Sequence, residues 1–262
     1  MSSLALSGKR VLVTRAAHQA GKLSEGLRAL GAEPVEVPVL EIRPPESFEP
    51  LDAALRQLES YDWLILTSAN AVRALDERAA ELGIVLEQPA RFKVAAVGEA
   101  TAAAARKAGL YIAFVPESYV AESLVAGLLE GIQFQTAGLR ILLARAAVAR
   151  DVIPDALREA GIVVDVVDAY RNILPEAAPE LLRRAVDAGL DAVTFTSSSS
   201  ATHLAEAARQ AGIAWPFAAI PAVSIGPFTS QTLRDLGWEP AVEANPSDIP
   251  GLIAAVERVL RG

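Results

Sequence analysis

The sequence predicts an α/β protein made of two similar units, each a five-stranded parallel sheet flanked by helices. Ten short apolar segments alternate with ten helical patterns along the 262 residues, which is the order expected of parallel sheets. The apolar segments are nearly continuous, as they are when helices cover both faces of a sheet. The second half of the chain also repeats the first at an offset of 128 to 130 residues, which indicates a tandem duplication of a domain-sized unit.

Three pairs of segments carry the duplication. RVLVTRAAHQAGKLSEGLRAL from Arg10 corresponds to RILLARAAVARDVIPDALREAG from Arg140, DWLILTSANAV from Asp62 to DAVTFTSSSS from Asp191, and VAAVGEATAAAARKAG from Val94 to AVSIGPFTSQTLRDLG from Ala222. The register of the two copies therefore hardly drifts, and equivalent loops of the two copies can be compared residue by residue.

The first copy contains five strands and five helices. Leucines at positions 23, 27 and 30 lie on one face of the first helix, and Gly31 ends it as a C′ glycine. The proline-dense segment IRPPESFEP, at 42–50, is predicted to be a linker. The predicted strands are 10–14, 34–40, 63–66, 94–97 and 111–115, and the predicted helices are 19–30, 51–58, 70–82, 101–108 and 120–129.

The second copy repeats this order. A second proline-bearing break, at 173–179, occurs where the first copy has its own. The predicted strands are 140–143, 162–169, 192–195, 222–225 and a short one near 241, and the predicted helices are 152–160, 180–188, 201–211, 229–236 and 249–260.

Composition excludes several classes of protein. The formal net charge of −8 and the lack of a basic run argue against a nucleic-acid binder. The chain contains no cysteine, which excludes disulfides, thiol nucleophiles and thiolate metal sites, and its two histidines have no ligand-like spacing. The start of the chain resembles no signal peptide, and its longest apolar runs are strand-sized, so we expect a cytoplasmic protein.

Four loops that follow strands combine small residues with hydroxyl side chains. They form two equivalent pairs: TSANA at 67–71 with TSSSS at 196–200, and GEAT at 98–101 with GPFT at 226–229. The first amides of a helix have no internal partners and bind anions such as carboxylates. Simple N-capping explains any one such loop. Four loops in register, at the sheet edge where α/β proteins bind ligands, favour a binding site.

Tyr170 is an aromatic residue that breaks the repeat, because the first copy has PVLEI at the corresponding position. A phenol with a pKa of about 10 stays protonated near neutrality and can donate a proton. Packing against the linker explains Tyr170 equally well. Arg15 and Arg145 end equivalent strands. For each of them two interpretations stay open, an ordinary surface residue and a residue that binds carboxylates.

Motifs of several other functions are missing. The sequence has no G-x-G-x-x-G, no G-x-x-x-x-G-K-[ST] and no G-x-S-x-G, so a nucleotide enzyme or a serine hydrolase lacks support. A flavodoxin-like FMN domain is weakened because TRAAHQ, rather than a phosphate loop, follows the first strand. A non-catalytic two-lobed binding protein for a small anionic ligand remains the alternative to an enzyme.

Taken in order, VLVTRAAHQAGKL, DWLILTSANAV, VAAVGEAT, Tyr170-Arg171, DAVTFTSSSS and IGPFT resemble the uroporphyrinogen-III synthase family. The resemblance implies two flavodoxin-like domains joined by a two-stranded linker, one formed by residues 1–38 with 172–262 and the other by 39–171. It also implies a cyclising hydro-lyase of haem biosynthesis. This enzyme converts linear hydroxymethylbilane to uroporphyrinogen III, losing water and inverting ring D.

The resemblance further assigns roles to individual residues. Tyr170 corresponds to the tyrosine thought to assist loss of the hydroxyl group. Hydroxyl positions that line the cleft are matched by Thr101, Ser199 and Thr229, and loop positions near the product's carboxylates are matched by Ser68, Asn70, Gly98, Ser197 and Gly226. The family implies a monomer that needs no cofactor or metal, a small-molecule substrate and a transient contact with the preceding enzyme, and no nucleic acid or membrane partner.

Overall fold

The structure is a computed structural model that describes residues 4–15, 17–86, 92–118, 120–132 and 136–261, with the backbone alone at 17–20. Its strands are β1 (Arg10–Val13), β2 (Glu33–Glu36), β3 (Glu41–Arg43), β4 (Trp63–Leu66), β5 (Lys93–Ala96), β6 (Ile112–Phe114), β7 (Arg140–Ala146), β8 (Val163–Ile173), β9 (Ala192–Phe195), β10 (Ala222–Ser224) and β11 (Val242–Glu243). Its helices are α1 (Ala17–Ala29), α2 (Glu49–Arg56), α3 (Ala69–Glu81), α4 (Glu99–Lys107), α5 (Ala121–Gly131), α6 (Val152–Glu159), α7 (Ala178–Asp187), α8 (Ser198–Ala211), α9 (Pro227–Asp235) and α10 (Ile249–Arg261), with a 3₁₀ turn at Leu58–Ser60.

The chain forms two compact units, Met1–Glu41 with Ile173–Gly262 and Ile42–Asn172. We call them the first and second units. The first division falls inside β3 and the second inside β8, and these two strands are neighbours in one sheet. The crossings that the resemblance implies lie at 38/39 and 171/172. The division into domains at 1–38 with 172–262 and at 39–171 stays a prediction.

The first unit contains a five-stranded sheet with the order β11-β10-β9-β1-β2, and the pairs of neighbouring strands are parallel. Successive residues of a strand point to opposite faces. Val11 and Val13 accordingly pack with α1 and α10, whereas Leu12 packs with the aliphatic side chains of α7 and α8. Both faces are therefore covered, which explains the continuous apolar strands.

The second unit contains a six-stranded sheet with the order β3-β8-β7-β4-β5-β6. The four pairs from β8 to β6 are parallel. Leu64 and Leu66 pack with α2 and α3, and Ile65 packs with α5 and α6 on the opposite face. The predicted fold class is confirmed. The sixth strand, β3, overlaps the start of the proline-bearing segment at 42–50, where the residue pattern predicted a linker and no strand of the sheet.

Each of the two units contains strands from both sequence repeats. The first unit combines β1 and β2 of the first repeat with β9, β10 and β11 of the second, and the second unit combines the remaining equivalents. Each sheet thereby has the order 2-1-3-4-5, apart from the added β3. In such sheets the direction of winding reverses between the first and third strands, and ligands bind beside this point at the carboxyl ends.

The side chain of Asp191, just before β9, is hydrogen-bonded to the start of β1. Its carboxylate accepts hydrogen bonds from the Arg10 backbone N–H at 2.8 Å and from Lys9 Nζ at 3.0 Å. The Arg10 N–H, followed by Lys9, holds the pKa of Asp191 below its usual range despite partial burial. A carboxyl group whose pKa is lowered by folding stabilises the folded state above its unfolded pKa of about 3.9.

We expect Asp191→Asn to lower the free energy of unfolding at pH 7 by about 1 kcal/mol, the scale of a partly exposed pair. The difference should vanish as the pH falls through the folded pKa, where the wild-type carboxyl group becomes protonated. Urea denaturation at several pH values measures both quantities. Asp187→Asn changes an exposed carboxylate of the same unit and serves as the control. A difference independent of pH would contradict the assignment.

Within the part of the chain that the structure describes, no helix is both long and apolar enough to cross a membrane.

Candidate functional site

The switch point of the second unit lies between β7 and β4. Ser68 follows β4 and is the N-cap of α3, where its Oγ accepts a hydrogen bond from the Ala71 N–H at 3.1 Å. Asn70 is the second residue of this helix and is half-buried. The Ser68 side chain therefore satisfies one helix amide, as simple N-capping requires, but the same oxygen has a second partner.

That second partner is Tyr170, whose hydroxyl lies 3.0 Å from Ser68 Oγ. Tyr170 is only 6% exposed. It lies inside β8 rather than at the end of the strand, because β8 continues to Ile173 and the Tyr170 carbonyl accepts a hydrogen bond from the Ala147 N–H at 2.9 Å. The register of the β7–β8 pair shifts beside Ala146. Such bulges redirect side chains and are common next to active sites.

The neighbouring loop of the second unit brings Gly98 and Thr101 to the same edge. Gly98 is the N-cap of α4 in extended conformation and has no side chain to satisfy the helix amides. Thr101, the third residue of α4, is 6% exposed. Its hydroxyl makes no hydrogen bond with the residues that the structure describes. This helix end thus offers amides and a hydroxyl group to a ligand.

The switch point of the first unit lies between β1 and β9. Ser197 is the N-cap of α8 and forms a capping box with Ser200, in which the Ser200 N–H donates to Ser197 Oγ at 3.1 Å. The predicted helix start at 201 is therefore wrong, because three serines of TSSSS form the first helical turn. Ser199, the second residue of α8, is half-buried, and its hydroxyl makes no hydrogen bond to any described residue.

Gly226 and Thr229 occupy the next loop of the first unit. Gly226 is the buried N-cap of α9. A Cβ atom at this position would lie 2.9 Å from Ser247 Oγ, so the loop after β11 closes against the glycine. Thr229, the third residue of α9, is 4% exposed, and like Thr101 its hydroxyl is not hydrogen-bonded within the described part of the chain.

The equivalent residues of the two units occupy the same helical positions. Ser68 and Ser197 are both N-caps, Asn70 and Ser199 both second residues, Gly98 and Gly226 both N-caps, and Thr101 and Thr229 both third residues. The same set of amides and hydroxyl groups therefore lies at the carboxyl edge of each sheet.

The two predicted arginines have different surroundings. Arg145 lies inside β7 rather than at its end, with its side chain 11% exposed. It donates hydrogen bonds to Asp151 Oδ1 at 2.6 Å and to the Arg150 carbonyl at 3.1 Å, and its buried Nε has no partner among the described residues. Arg15, two residues after β1, is partly buried, and burial lowers its pKa. Arg145 is therefore paired with a carboxylate of its own unit.

Several polar residues beside these loops were missed by the sequence analysis. Ser224 and Ser230 lie within hydrogen-bond distance of each other behind the Gly226 loop, and the Ser230 hydroxyl donates to Glu243 at 2.6 Å. Asp151 neutralises Arg145. Ser224 lies in a three-residue strand and Ser230 in a helix, so no single periodic pattern marked the two serines as neighbours. Among the described side chains, no group of three or more His, Asp and Glu is placed to hold a metal ion.

Comparison with known proteins agrees with this arrangement. A family model described as uroporphyrinogen-III synthase HemD matches residues 21–254. The uroporphyrinogen-III synthase of Synechococcus elongatus is 36% identical, covering 100% of this chain and 99% of its own. The porphyrin biosynthesis protein HemD of Ruminiclostridium josui is 32% identical, covering 87% of this chain but 44% of its own length.

A solved structure supports the fold. A mutant uroporphyrinogen III synthase from the extremely thermophilic bacterium Thermus thermophilus matches with a TM-score of 0.69 at 23% identity, covering 97% of this chain and 99% of its own. The family model and the Synechococcus relative span nearly the whole sequence, including both sets of loops. The chain therefore belongs to the uroporphyrinogen-III synthase family.

Proposed function

We propose that the protein cyclises hydroxymethylbilane to uroporphyrinogen III, with loss of water and inversion of ring D, and that residues of the matched loops bind the substrate. The observation that carries this proposal is the matched set of helix N-termini at the two switch points, each followed by a threonine, Thr101 or Thr229, whose hydroxyl bonds to none of the described residues. The non-catalytic binding protein is not favoured, because the relative matched over its whole length is named a synthase.

Helix N-termini suit this substrate because it carries eight carboxylates. The protein has a net charge of −8, so long-range attraction does not hold a polyanion. Amides at the start of α3, α4, α8 and α9 offer local partial positive charge without adding cations. Gly98 and Gly226 have no side chain of their own, so these N-cap residues do not satisfy the amides of the helices that they begin.

Tyr170 is proposed to assist departure of the substrate hydroxyl. Its phenol donates a hydrogen bond or a proton to the leaving oxygen, which departs as water and leaves an electrophilic azafulvene. Ser68 Oγ, at 3.0 Å, orients the phenol and is itself held by the Ala71 N–H. The substituted carbon of ring D then attacks, and the resulting spiro intermediate fragments and recloses with the ring inverted. An unassisted chain closes at the free carbon, so holding the substrate folded is the main contribution of the protein.

The decisive experiment supplies freshly prepared hydroxymethylbilane and separates the products after oxidation. We expect isomer III to predominate with the protein, and isomer I to form in a parallel reaction with heat-denatured protein. Isomer I alone in both reactions would reject the proposed function.

We further propose that the protein acts as a cytoplasmic monomer and receives its substrate by transient contact with the preceding enzyme. Rapid transfer is favourable, because free hydroxymethylbilane closes spontaneously to the wrong isomer. Sedimentation of the protein alone tests the monomeric state, and sedimentation with that enzyme tests the contact.

A further inference from the structure

The pair of strands β7 and β8 contains an irregularity directly before Tyr170. Arg145 pairs with Asp168 and the next residue, Ala146, pairs with Tyr170, so β8 has one residue more than β7 at this point, Ala169. An extra residue of this kind is a β-bulge, which bends its strand and changes the direction of the side chains that follow. The bulge therefore lies between the residue opposite Arg145 and Tyr170.

The bulge places Tyr170 on the face of the sheet that carries Ser68. Along β8, Val164 and Val166 pack with α5 and α6, whereas Ala169 packs on the opposite face with α2 and α3. Regular alternation would put position 170 on the face of Val164 and Val166. Tyr170 instead belongs to the same core cluster as Ala169, and its hydroxyl lies 3.0 Å from Ser68 Oγ. The hydrogen bond to Ser68 therefore depends on the bulge.

Arg145 extends from the other face of the sheet and joins β7 to the start of α6. Leu143, two residues earlier and hence on the same face, packs with α5 and α6. The Arg145 guanidinium donates hydrogen bonds to the Arg150 carbonyl at 3.1 Å and to Asp151 Oδ1 at 2.6 Å. These two bonds fix the end of β7, opposite the bulge, relative to the loop and helix that follow.

The backbone beside Arg145 is bonded directly to Tyr170. The Ala147 N–H, just after β7, donates to the Tyr170 carbonyl at 2.9 Å. The segment 145–147 is thus held from one side by the guanidinium of Arg145 and from the other by its hydrogen bond to β8. A shift of this segment would move the backbone of Tyr170 with it.

We propose that Arg145 is a positioning residue for Tyr170, which maintains the bulge that directs the phenol to Ser68. The inference rests on the proposed function, in which this phenol assists departure of the substrate hydroxyl. Two nitrogens of the guanidinium bond within the loop, and the third, Nε, is buried and has no hydrogen-bond partner among the described residues. The guanidinium is thus used within its own unit, which favours positioning over binding of a substrate carboxylate.

Steady-state kinetics with hydroxymethylbilane tests the proposal. We expect Arg145→Met to lower kcat about 5- to 20-fold with KM within about twofold of wild type, because a misplaced proton donor affects the transition state more than substrate binding. In the Tyr170→Phe background the same substitution should change kcat by less than about twofold, because the group that Arg145 positions is then missing. Arg145→Lys keeps a charged contact with Asp151 and should fall between Arg145→Met and wild type.

Asp151→Ala separates positioning from substrate binding. Asp151 is the N-cap of α6, but its side chain makes no hydrogen bond to that helix, so the substitution removes the contact with Arg145 and no cap. With a positioning role, kcat should fall in the same direction as in Arg145→Met, and again only when the Tyr170 hydroxyl is present. If Arg145 binds a substrate carboxylate, the substitution frees its guanidinium and should lower KM with kcat unchanged.

Arg140→Met is the matched control for a purely structural effect. Arg140 begins β7, at the amino edge of the same sheet, and its guanidinium donates to Ser60 Oγ at 2.9 Å and to Asp165 Oδ2 at 3.0 Å. Removing these bonds should lower the free energy of unfolding, measured by urea denaturation, and leave kcat and KM unchanged.

The outcomes separate this inference from the proposed function. If wild-type protein makes isomer III but Arg145→Met lowers kcat equally with and without the Tyr170 hydroxyl, the positioning role is overturned and the function stands. A raised KM with unchanged kcat would also overturn it and indicate a direct substrate contact. Should Arg145→Met fail to fold, Asp151→Ala and Arg145→Lys in the same two backgrounds decide in the same way. Wild-type protein that yields only isomer I rejects the function itself, before any variant is compared.

Discussion

Gly251→Ala is expected to destabilise the first unit by about 3 kcal/mol, the upper part of the usual range for overpacking. Gly251 is buried in the first turn of α10, and a Cβ atom there would lie 2.0 Å from the Pro246 carbonyl oxygen. Because this neighbour is backbone, a rotamer change does not relieve the clash. The Gly251 N–H also donates to Asp248 Oδ1 at 2.7 Å, so movement of the helix start breaks its cap.

Thermal unfolding followed by circular dichroism measures this effect, and we expect a fall of about 10 °C in Tm for a unit of this size. Gly21→Ala is the matched control, since Gly21 is an exposed residue of α1 with nothing within 4 Å of an added Cβ. Alanine there should stabilise by about 0.5–1 kcal/mol through helix propensity. Equal Tm values for the two variants would show that the Pro246 contact does not restrict this position.

Tyr170→Phe is expected to lower kcat about 10- to 100-fold, which at most reaches the lower bound of the effect of a positioned proton donor. The substitution removes only the hydroxyl group, and Ser68 Oγ keeps its bond to the Ala71 N–H. Stability should therefore change by no more than about 1 kcal/mol. A stopped assay with oxidised, separated isomers measures kcat, and urea denaturation measures stability.

Tyr61→Phe is the control for Tyr170→Phe. Tyr61 is buried in the same unit but precedes β4, at the amino edge of the sheet, and its hydroxyl donates to Asp165 at 2.7 Å. Burial, followed by this contact, raises the pKa of Tyr61 to about 12. Removing its hydroxyl should leave kcat unchanged. Complete loss of activity in folded Tyr170→Phe, or no loss at all, would contradict the modest role given to Tyr170.

The architecture was predictable because its signals are local. Apolar strands, glycines that end helices and the repeat of equivalent loops predicted the α/β class. The order of the loop motifs gave the resemblance to the family, and both are confirmed. The helix start at Ser198 was not predictable from propensity, because serine is a weak helix former. Its cap depends on reciprocal bonds between Ser197 and Ser200, which the residue types permit but do not require.

Contacts distant in sequence account for the rest. Ser68 and Tyr170 are 102 residues apart, and no pattern in either segment predicts their hydrogen bond. Their meeting depends on the pairing of β7 with both β4 and β8, which joins segments from different repeats. The ion pair of Arg145 with Asp151 depends on the path of one loop. The roles given to the site residues stay predictions, and the kinetic variants above test them.

The first unit is formed from both ends of the chain, so its two parts are synthesised at different times during translation. The second unit, Ile42–Asn172, is continuous in sequence, so all its residues are synthesised one after another. The strands β1 and β2 emerge earlier, yet β1 pairs with β9, which is made much later. In the nascent chain the apolar segment of β1 therefore lacks its partner β9 until the final third of the sequence is synthesised. Intermediates with exposed apolar strands are prone to aggregation. A chain terminated before β9 would contain all the residues of the second unit. Its strands β1 and β2 would lack β9, β10 and β11, the other strands of their sheet.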